Sequence, residues 1–218
     1  MTLSIKFCGL TRTDDLAVAC GLGVDAVGLV YYPPSPRYVD IDSAKRLALS
    51  VPAFVSVVAL VVNIEKSELI KLAHNVPFDI IQFHGDETAV QCKDLANTVY
   101  KRWIKAIRVT DNMTADDILL QITELAKYGA SGVILDAYHP KQYGGTGESF
   151  DWDKIPENSP LPIYLAGGLT PDNIGMITNS KLACRIAGVD VSGGIEAEKG
   201  IKDAQKMRDF AELVRAVG

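Results

Sequence analysis

Cys8 closes the apolar run Leu3–Cys8, and Asp136 follows the apolar run Val133-Ile134-Leu135. A thiol and a carboxyl at the ends of two such runs make a candidate base and a candidate acid. A cysteine abstracts protons when a cationic or polar setting lowers its pKa. A carboxylate against apolar surroundings is costly unless paired or used. Each also has a plainer reading: Cys8 as a small buried hydrophobe, Asp136 as a helix cap or ion-pair member. Arg37 lies in Tyr31-Tyr32-Pro33-Pro34-Ser35-Pro36-Arg37-Tyr38, a loop stiffened by its prolines. Its guanidinium can grip a carboxylate with two parallel hydrogen bonds, or simply be a solvated loop arginine. His84 precedes a glycine turn in Gln82-Phe83-His84-Gly85-Asp86-Glu87. Glycine pairs occur in Ala166-Gly167-Gly168-Leu169-Thr170-Pro171 and in Asp190-Val191-Ser192-Gly193-Gly194-Ile195-Glu196. Such pairs let backbone N–H groups approach an anion closely. The set points to acid–base chemistry on a phosphorylated small molecule that also bears an acidic group. An isomerisation of this kind needs two proton-transfer groups and no cofactor.

These residues must be positioned by repeating elements. Short apolar, β-branched runs recur at Leu3–Cys8, Ala26–Val30, Phe54–Val61, Phe78–Phe83, Tyr100–Ile107, Gly132–Leu135, Pro162–Ala166 and Ile186–Val191. Each has the length of a buried strand. Helical signals lie between most of them. Thr13-Asp14-Asp15 opens a helix to Cys20 with Gly21 as its stop, and Asp42-Ser43 opens Ala44–Leu49. Thr114 opens an amphipathic stretch to Tyr128, stopped by Gly129; Thr170-Pro171 puts proline at a first helical turn. Asp203–Val214 carries Met207, Phe210, Leu213 and Val214 at helical spacing. Strand then helix, repeated about eight times, predicts a parallel sheet covered by helices, and the count favours a (β/α)8 TIM barrel over a doubly wound sheet. Active groups of that fold stand at the C-terminal ends of the strands, and loops after strands 7 and 8 commonly hold phosphate. Every candidate above lies at such a strand end. No linker composition interrupts the chain, so residues 1–218 read as one domain. The loop from Tyr138 to Trp152, with Gly144-Gly145-Thr146-Gly147, has the length of a binding loop.

Composition narrows the function classes. The 218 residues include 27 acidic and 22 basic side chains, a net charge of −5, which argues against nucleic acid as partner. The longest apolar stretch, Phe54–Val62, is far short of the about 20 residues of a spanning helix, so no membrane partner is expected. The first residues lack the pattern of a signal peptide. Cys8, Cys20, Cys92 and Cys184 form no C-x-x-C pair, so neither a metal site nor a disulfide framework is expected, and the reading is a reduced, cytoplasmic protein. Gly21-x-Gly23 follows a helix and precedes a strand, the reverse of a dinucleotide fingerprint.

Read together, the motifs resemble the phosphoribosylanthranilate isomerase family of tryptophan biosynthesis. The resemblance rests on Lys6-Phe7-Cys8-Gly9-Leu10-Thr11, Ser35-Pro36-Arg37, Gln82 to Glu87, Leu135-Asp136, Gly144 to Gly147 with Phe150-Asp151-Trp152, Leu165 to Asn173, and Gly188 to Glu196. It covers nearly the whole chain. It implies an Amadori rearrangement of a phosphosugar without a cofactor, with Asp136 as general acid and Cys8 as general base. It implies Arg37 as the ligand of the anthranilate carboxylate, and His84 and Asp190 as pocket residues. Gly145, Gly167, Gly168, Ser192 and Gly193 would cup the phosphate, and a monomer is the default state. Many members carry two serines where this chain has Ser192-Gly193, which removes one hydroxyl contact. A sibling histidine-pathway isomerase would show aspartate at Cys8. An indole-forming synthase would need lysine and glutamate in the mouth, where Lys6 sits below Cys8. A non-catalytic phosphometabolite-binding barrel would require neither Cys8 nor Asp136.

Overall fold

A computed structural model of the chain describes residues 2–137 and 150–216. Eight parallel strands close into a barrel in chain order. They are β1 (Ser4–Cys8), β2 (Ala26–Tyr31), β3 (Ser56–Val61), β4 (Ile80–Phe83), β5 (Arg102–Val109), β6 (Val133–Ala137), β7 (Ile163–Leu165) and β8 (Gly188–Val191). β1 pairs with β2 on one side and β8 on the other, which closes the ring. Each expected strand is present. Several start one or two residues later than their apolar runs, and aspartates preceding β2 and β4 accept from N–H groups near the starts of β1 and β3. Asp25 accepts from the Ile5 N–H and Asp79 from the Val57 N–H, each at 2.8 Å.

The helices are α1 (Thr13–Gly21), α2 (Ile41–Leu49), α3 (Lys66–Asn75), α4 (Ala89–Thr98), α5 (Ala115–Lys127), α6 (Pro171–Thr178) and α7 (Ala204–Arg215). Thr114 and Asp117 form a reciprocal capping box at α5, and Asp203 accepts from two N–H groups at the start of α7. The cap of α2 is Asp40, which accepts from the Ser43 N–H, so the helix begins before the expected Asp42-Ser43. Gly21 lies within the last turn of α1 rather than beyond it. Between β6 and β7 the described residues hold only a 3-10 turn, Trp152–Lys154, and buried Phe150 and Ile155 give apolar cover there. After β8 comes a two-stranded antiparallel hairpin, β9 (Glu196–Glu198) with β10 (Ile201–Lys202), which periodicity did not suggest. No helix of the described residues is long and apolar enough to cross a membrane.

Alternation along the strands divides the core in two. Residues such as Phe7, Val27, Ile81, Leu135 and Val189 face the helices and form one large apolar layer. Phe210 of α7 meets Phe7 edge to face at 6.2 Å, which holds β1 from outside. The alternate residues point into the barrel. Ile104, Ala106, Ile134 and Ala166 form one interior cluster, and Cys8, Val30, Leu60 and Val62 another. Lys6, Gln82, His84, Asp136 and Asp190 share this interior and are all buried.

The loops after β7 and β8 meet at a glycine. A Cβ on Gly194 would fall on the Leu169 carbonyl oxygen, whereas one on Gly175, inside α6, would meet nothing closer than 3.6 Å. Gly194→Ala is therefore expected to destabilise by about 1–3 kcal/mol. Gly175→Ala should stabilise by about 0.5–1 kcal/mol through helix propensity. Urea midpoints check both; equal shifts for the two variants would contradict this account of the loop junction.

Candidate active site

One cavity at the C-terminal end of the barrel gathers the residues singled out by sequence. Cys8, Arg37, His84, Asp136, Gly167, Gly168, Asp190, Ser192 and Gly193 all line it. Gly145 lies outside the described residues. Val30, Tyr32, Leu60, Ala166 and Leu169 supply apolar wall, so polar groups are few and convergent.

Cys8 ends β1 with its side chain inward and is 5% exposed. Lys6, two residues earlier on the same face, donates to Asp190 at 2.8 Å, and its ammonium lies near enough to the thiol for the two charges to act on each other. Burial pushes the Cys8 thiol up, against the pull of Lys6, and Asp190 pushes it further up; Lys202 pulls it down. The empty site thus differs from the lowered thiol pKa a base would need. For Lys6, burial favours the neutral amine, but Asp190 and Cys8 outweigh it and hold the ammonium above its ordinary range.

Asp136 stands within β6, one residue before its end. Its Oδ1 accepts from the Ala137 N–H at 2.9 Å, and its Oδ2 lies 3.1 Å from His84 Nε2. Gln82 Nε2 is 3.1 Å from His84 Nδ1. With the amide donating, Nδ1 accepts, and the ring proton sits on Nε2 directed at Asp136. Gln82 Oε1 is then buried without a partner. Gly167, at φ +82°, passes directly beside this carboxyl: a Cβ there would sit 3.0 Å from Asp136 Oδ1 and 2.6 Å from the Ala137 nitrogen. That glycine therefore makes room for the Asp136 carboxyl.

Arg37 is 8% exposed and is not free in the mouth. Its Nε and one terminal nitrogen donate to Glu196 at 2.7 and 2.8 Å. The side edge of the fork is thus occupied, and the end edge remains for a carboxylate. Glu196 also accepts from Lys202 Nζ at 2.9 Å, and Lys202 donates to the Ser192 carbonyl at 3.0 Å. Burial raises the Glu196 carboxyl, but Arg37 and Lys202 outweigh this and hold it below its usual range. Burial pulls Lys202 below its usual range. Ser192 Oγ donates to the Cys8 carbonyl at 3.0 Å, which ties the loop after β8 to the end of β1. After β7, Gly167 and Gly168 take left-handed φ values, and Asn173 of α6 donates to the Gly168 carbonyl at 2.7 Å.

Sequence reasoning assigned no role to Gln82, Glu196 or Lys202. Gln82 had a legible signal, since it shares the inward face of β4 with His84. Glu196 and Lys202 lie on the β9–β10 hairpin, which no strand-end rule marks.

The family model of N-(5'phosphoribosyl)anthranilate (PRA) isomerase matches residues 5–213. An N-(5'-phosphoribosyl)anthranilate isomerase of Acinetobacter calcoaceticus is 43% identical over 215 residues, covering 99% of this chain and 98% of that protein. One from Neisseria gonorrhoeae is 47% identical over 208 residues, covering 94% and 93%. Among solved structures, the phosphoribosyl anthranilate isomerase of Thermotoga maritima superposes with a TM-score of 0.84 at 30% identity, covering 98% of this chain and 99% of that one. Another phosphoribosyl anthranilate isomerase, at TM-score 0.79 and 28% identity over 98% and 99% of the two chains, was solved with reduced 1-(o-carboxyphenylamino)-1-deoxyribulose 5-phosphate. By its sequence, its barrel and its relatives, the chain belongs to the phosphoribosylanthranilate isomerase family.

Proposed function

We propose that this chain converts N-(5-phosphoribosyl)anthranilate to 1-(2-carboxyphenylamino)-1-deoxyribulose 5-phosphate in tryptophan biosynthesis, with Cys8 as general base and Asp136 as general acid. The observation that carries the assignment of roles is a thiol from β1 and a carboxyl from β6 bordering one cavity. In this reading Asp136, in its acid form, gives its proton to the furanose ring oxygen as the C1–O bond breaks. The nitrogen lone pair moves in to form the C1=N iminium. The Cys8 thiolate then removes the proton from C2. Its electron pair becomes the C1=C2 bond, and the C=N pair returns to nitrogen, giving an enolamine. Tautomerisation of the C2 hydroxyl with protonation at C1 yields the ketone. Only proton transfers are involved, so no cofactor enters.

Arg37, fixed by Glu196, offers the end edge of its guanidinium to the anthranilate carboxylate. His84 and Asp190 flank the sugar. Gly145, Gly167, Gly168, Ser192 and Gly193 form the phosphate cup, where backbone N–H groups replace the second serine of many relatives. We read residues 1–218 as one domain, since eight strands close one barrel, and as a monomer, the default state that the family resemblance implies. Its mass by sedimentation equilibrium is then that of a single 23.6 kDa chain. A cytoplasmic location fits the four free cysteines.

Asp136→Asn and Cys8→Ser should each lower kcat by about 10²- to 10⁴-fold while leaving the unfolding midpoint nearly unchanged. Near-full turnover in either variant would remove that residue's role. Arg37→Ala should raise KM about tenfold or more, the loss of a charged hydrogen bond; an unaltered KM would take Arg37 out of the carboxylate site. The pH profile has a definite sign. The thiolate is the active form, and the free-site thiol is pushed up by burial. So the residual kcat/KM of Asp136→Asn, in which the thiol titrates without the acid, should climb between about pH 6 and pH 9. A flat or falling profile over that range would contradict a thiolate base.

A further inference from the structure

Lys6 has no part in the proton transfers above, yet a buried ammonium beside the presumed base is an expensive arrangement. Taking such an ion out of water costs several kcal/mol even after relaxation. Nothing in the outer apolar layer requires it, since its side chain points into the barrel. Two neighbours account for where it ends. Asp190, its register partner across the β1–β8 seam, takes one N–H at 2.8 Å. The Cys8 sulfur, on the same inward face of β1, is the other group whose charge acts on the ammonium. The space between sulfur and ammonium is left open by Gly28, the register partner of Cys8 on β2. A Cβ at Gly28 would lie 2.7 Å from Cys8 Sγ and 3.1 Å from Lys6 Nζ, so thiol and ammonium border the same small gap.

We propose that Lys6 is a positioning residue for Cys8, its ammonium divided between the thiol and Asp190 so that it sets how readily the thiolate forms. The inference rests on the reading of Cys8 as the base. The other charged groups acting on the thiol are named by the same geometry. Asp190 on β8 opposes the thiolate, while Lys202 on β10 favours it. Arg37, on the loop after β2, also feels the Cys8 charge. His84 on β4 and Asp136 on β6 pair with each other across the cavity. Of these groups Lys6 and Asp190 form a coupled pair with opposite signs: removing the ammonium strips the thiolate of its nearest cation, and removing the carboxylate leaves the ammonium to the thiol alone. Gly28, contributing no side chain, leaves the Cys8 sulfur and the Lys6 ammonium facing one gap.

The opposite signs make the test. The rate of iodoacetamide alkylation at Cys8, read by peptide mass spectrometry in the ligand-free protein, is followed against pH in the parent, Lys6→Met and Asp190→Asn. Lys6→Met should move the Cys8 titration to higher pH by about 1 to 3 pH units, the range for losing one close opposite charge. Asp190→Asn should move it to lower pH. Titrations that stay at the parent value, or move in the same direction in both variants, overturn the proposal. If Lys6→Met does not fold, the isosteric Asp190→Asn decides alone: a downward move supports the proposal, and no move or an upward move overturns it. Because alkylation requires no turnover, this outcome is independent of the Cys8→Ser test, which judges whether the thiol is the base at all.

Discussion

Charge inside a closed barrel has to be paired, and in this protein the pair sits on the closing seam. Lys6 of β1 and Asp190 of β8 are register partners, and their side chains meet at 2.8 Å inside the ring. Each would be prohibitively desolvated alone. Together they let the last strand dock on the first while bringing an ammonium and a carboxylate beneath the Cys8 thiol. The contact that closes the barrel interior is therefore also the electrostatic floor of the cavity. Its two partners act on the thiol in opposite senses, so the thiol is held between a cation and an anion.

Above that floor, the site depends on loops tied to strands by buried polar contacts. Ser192 binds the Cys8 carbonyl, Lys202 binds the Ser192 carbonyl and Glu196, and Glu196 grips Arg37. This chain links the glycine loop after β8, the hairpin beyond it, and the proline-rich loop after β2. The arginine thus reaches the cavity with its orientation already set, which reduces the side-chain entropy that binding any ligand there would cost. On the opposite wall, Gln82 and His84 hold Asp136 from one side while Gly167 leaves space on the other. Glycine does two kinds of work here. Gly167 and Gly168 adopt left-handed φ, whereas Gly28 sits on an ordinary strand and contributes only the absence of a side chain.

Much of this was legible in the sequence because strand alternation is a local rule. The eight apolar runs became the eight strands, and Cys8, His84, Asp136 and Asp190 point inward because period-two geometry leaves no other choice once one face packs on helices. Capping chemistry was local too, and Thr114 and Asp203 start α5 and α7 as their side chains dictate. The missed features are those in which local and distant partners compete. Asp40 rather than Asp42 caps α2. The sixth unit carries a 3-10 turn in place of a helix among the described residues, with Phe150 and Ile155 giving the cover.

By itself the sequence determined the order of elements, the barrel class, the family and the strand ends at which chemistry belongs, since these follow from periodicity and short motifs. Only the tertiary structure decided which charges meet. Lys6 with Asp190, Arg37 with Glu196, and Glu196 with Lys202 are brought together by the closure of β1 on β8 and by the hairpin after it. The electrostatics of the thiol follow from those encounters. A buried charge takes its protonation from whatever lies within a few ångströms of it, and for Lys6 and Asp190 that neighbour is far away along the chain.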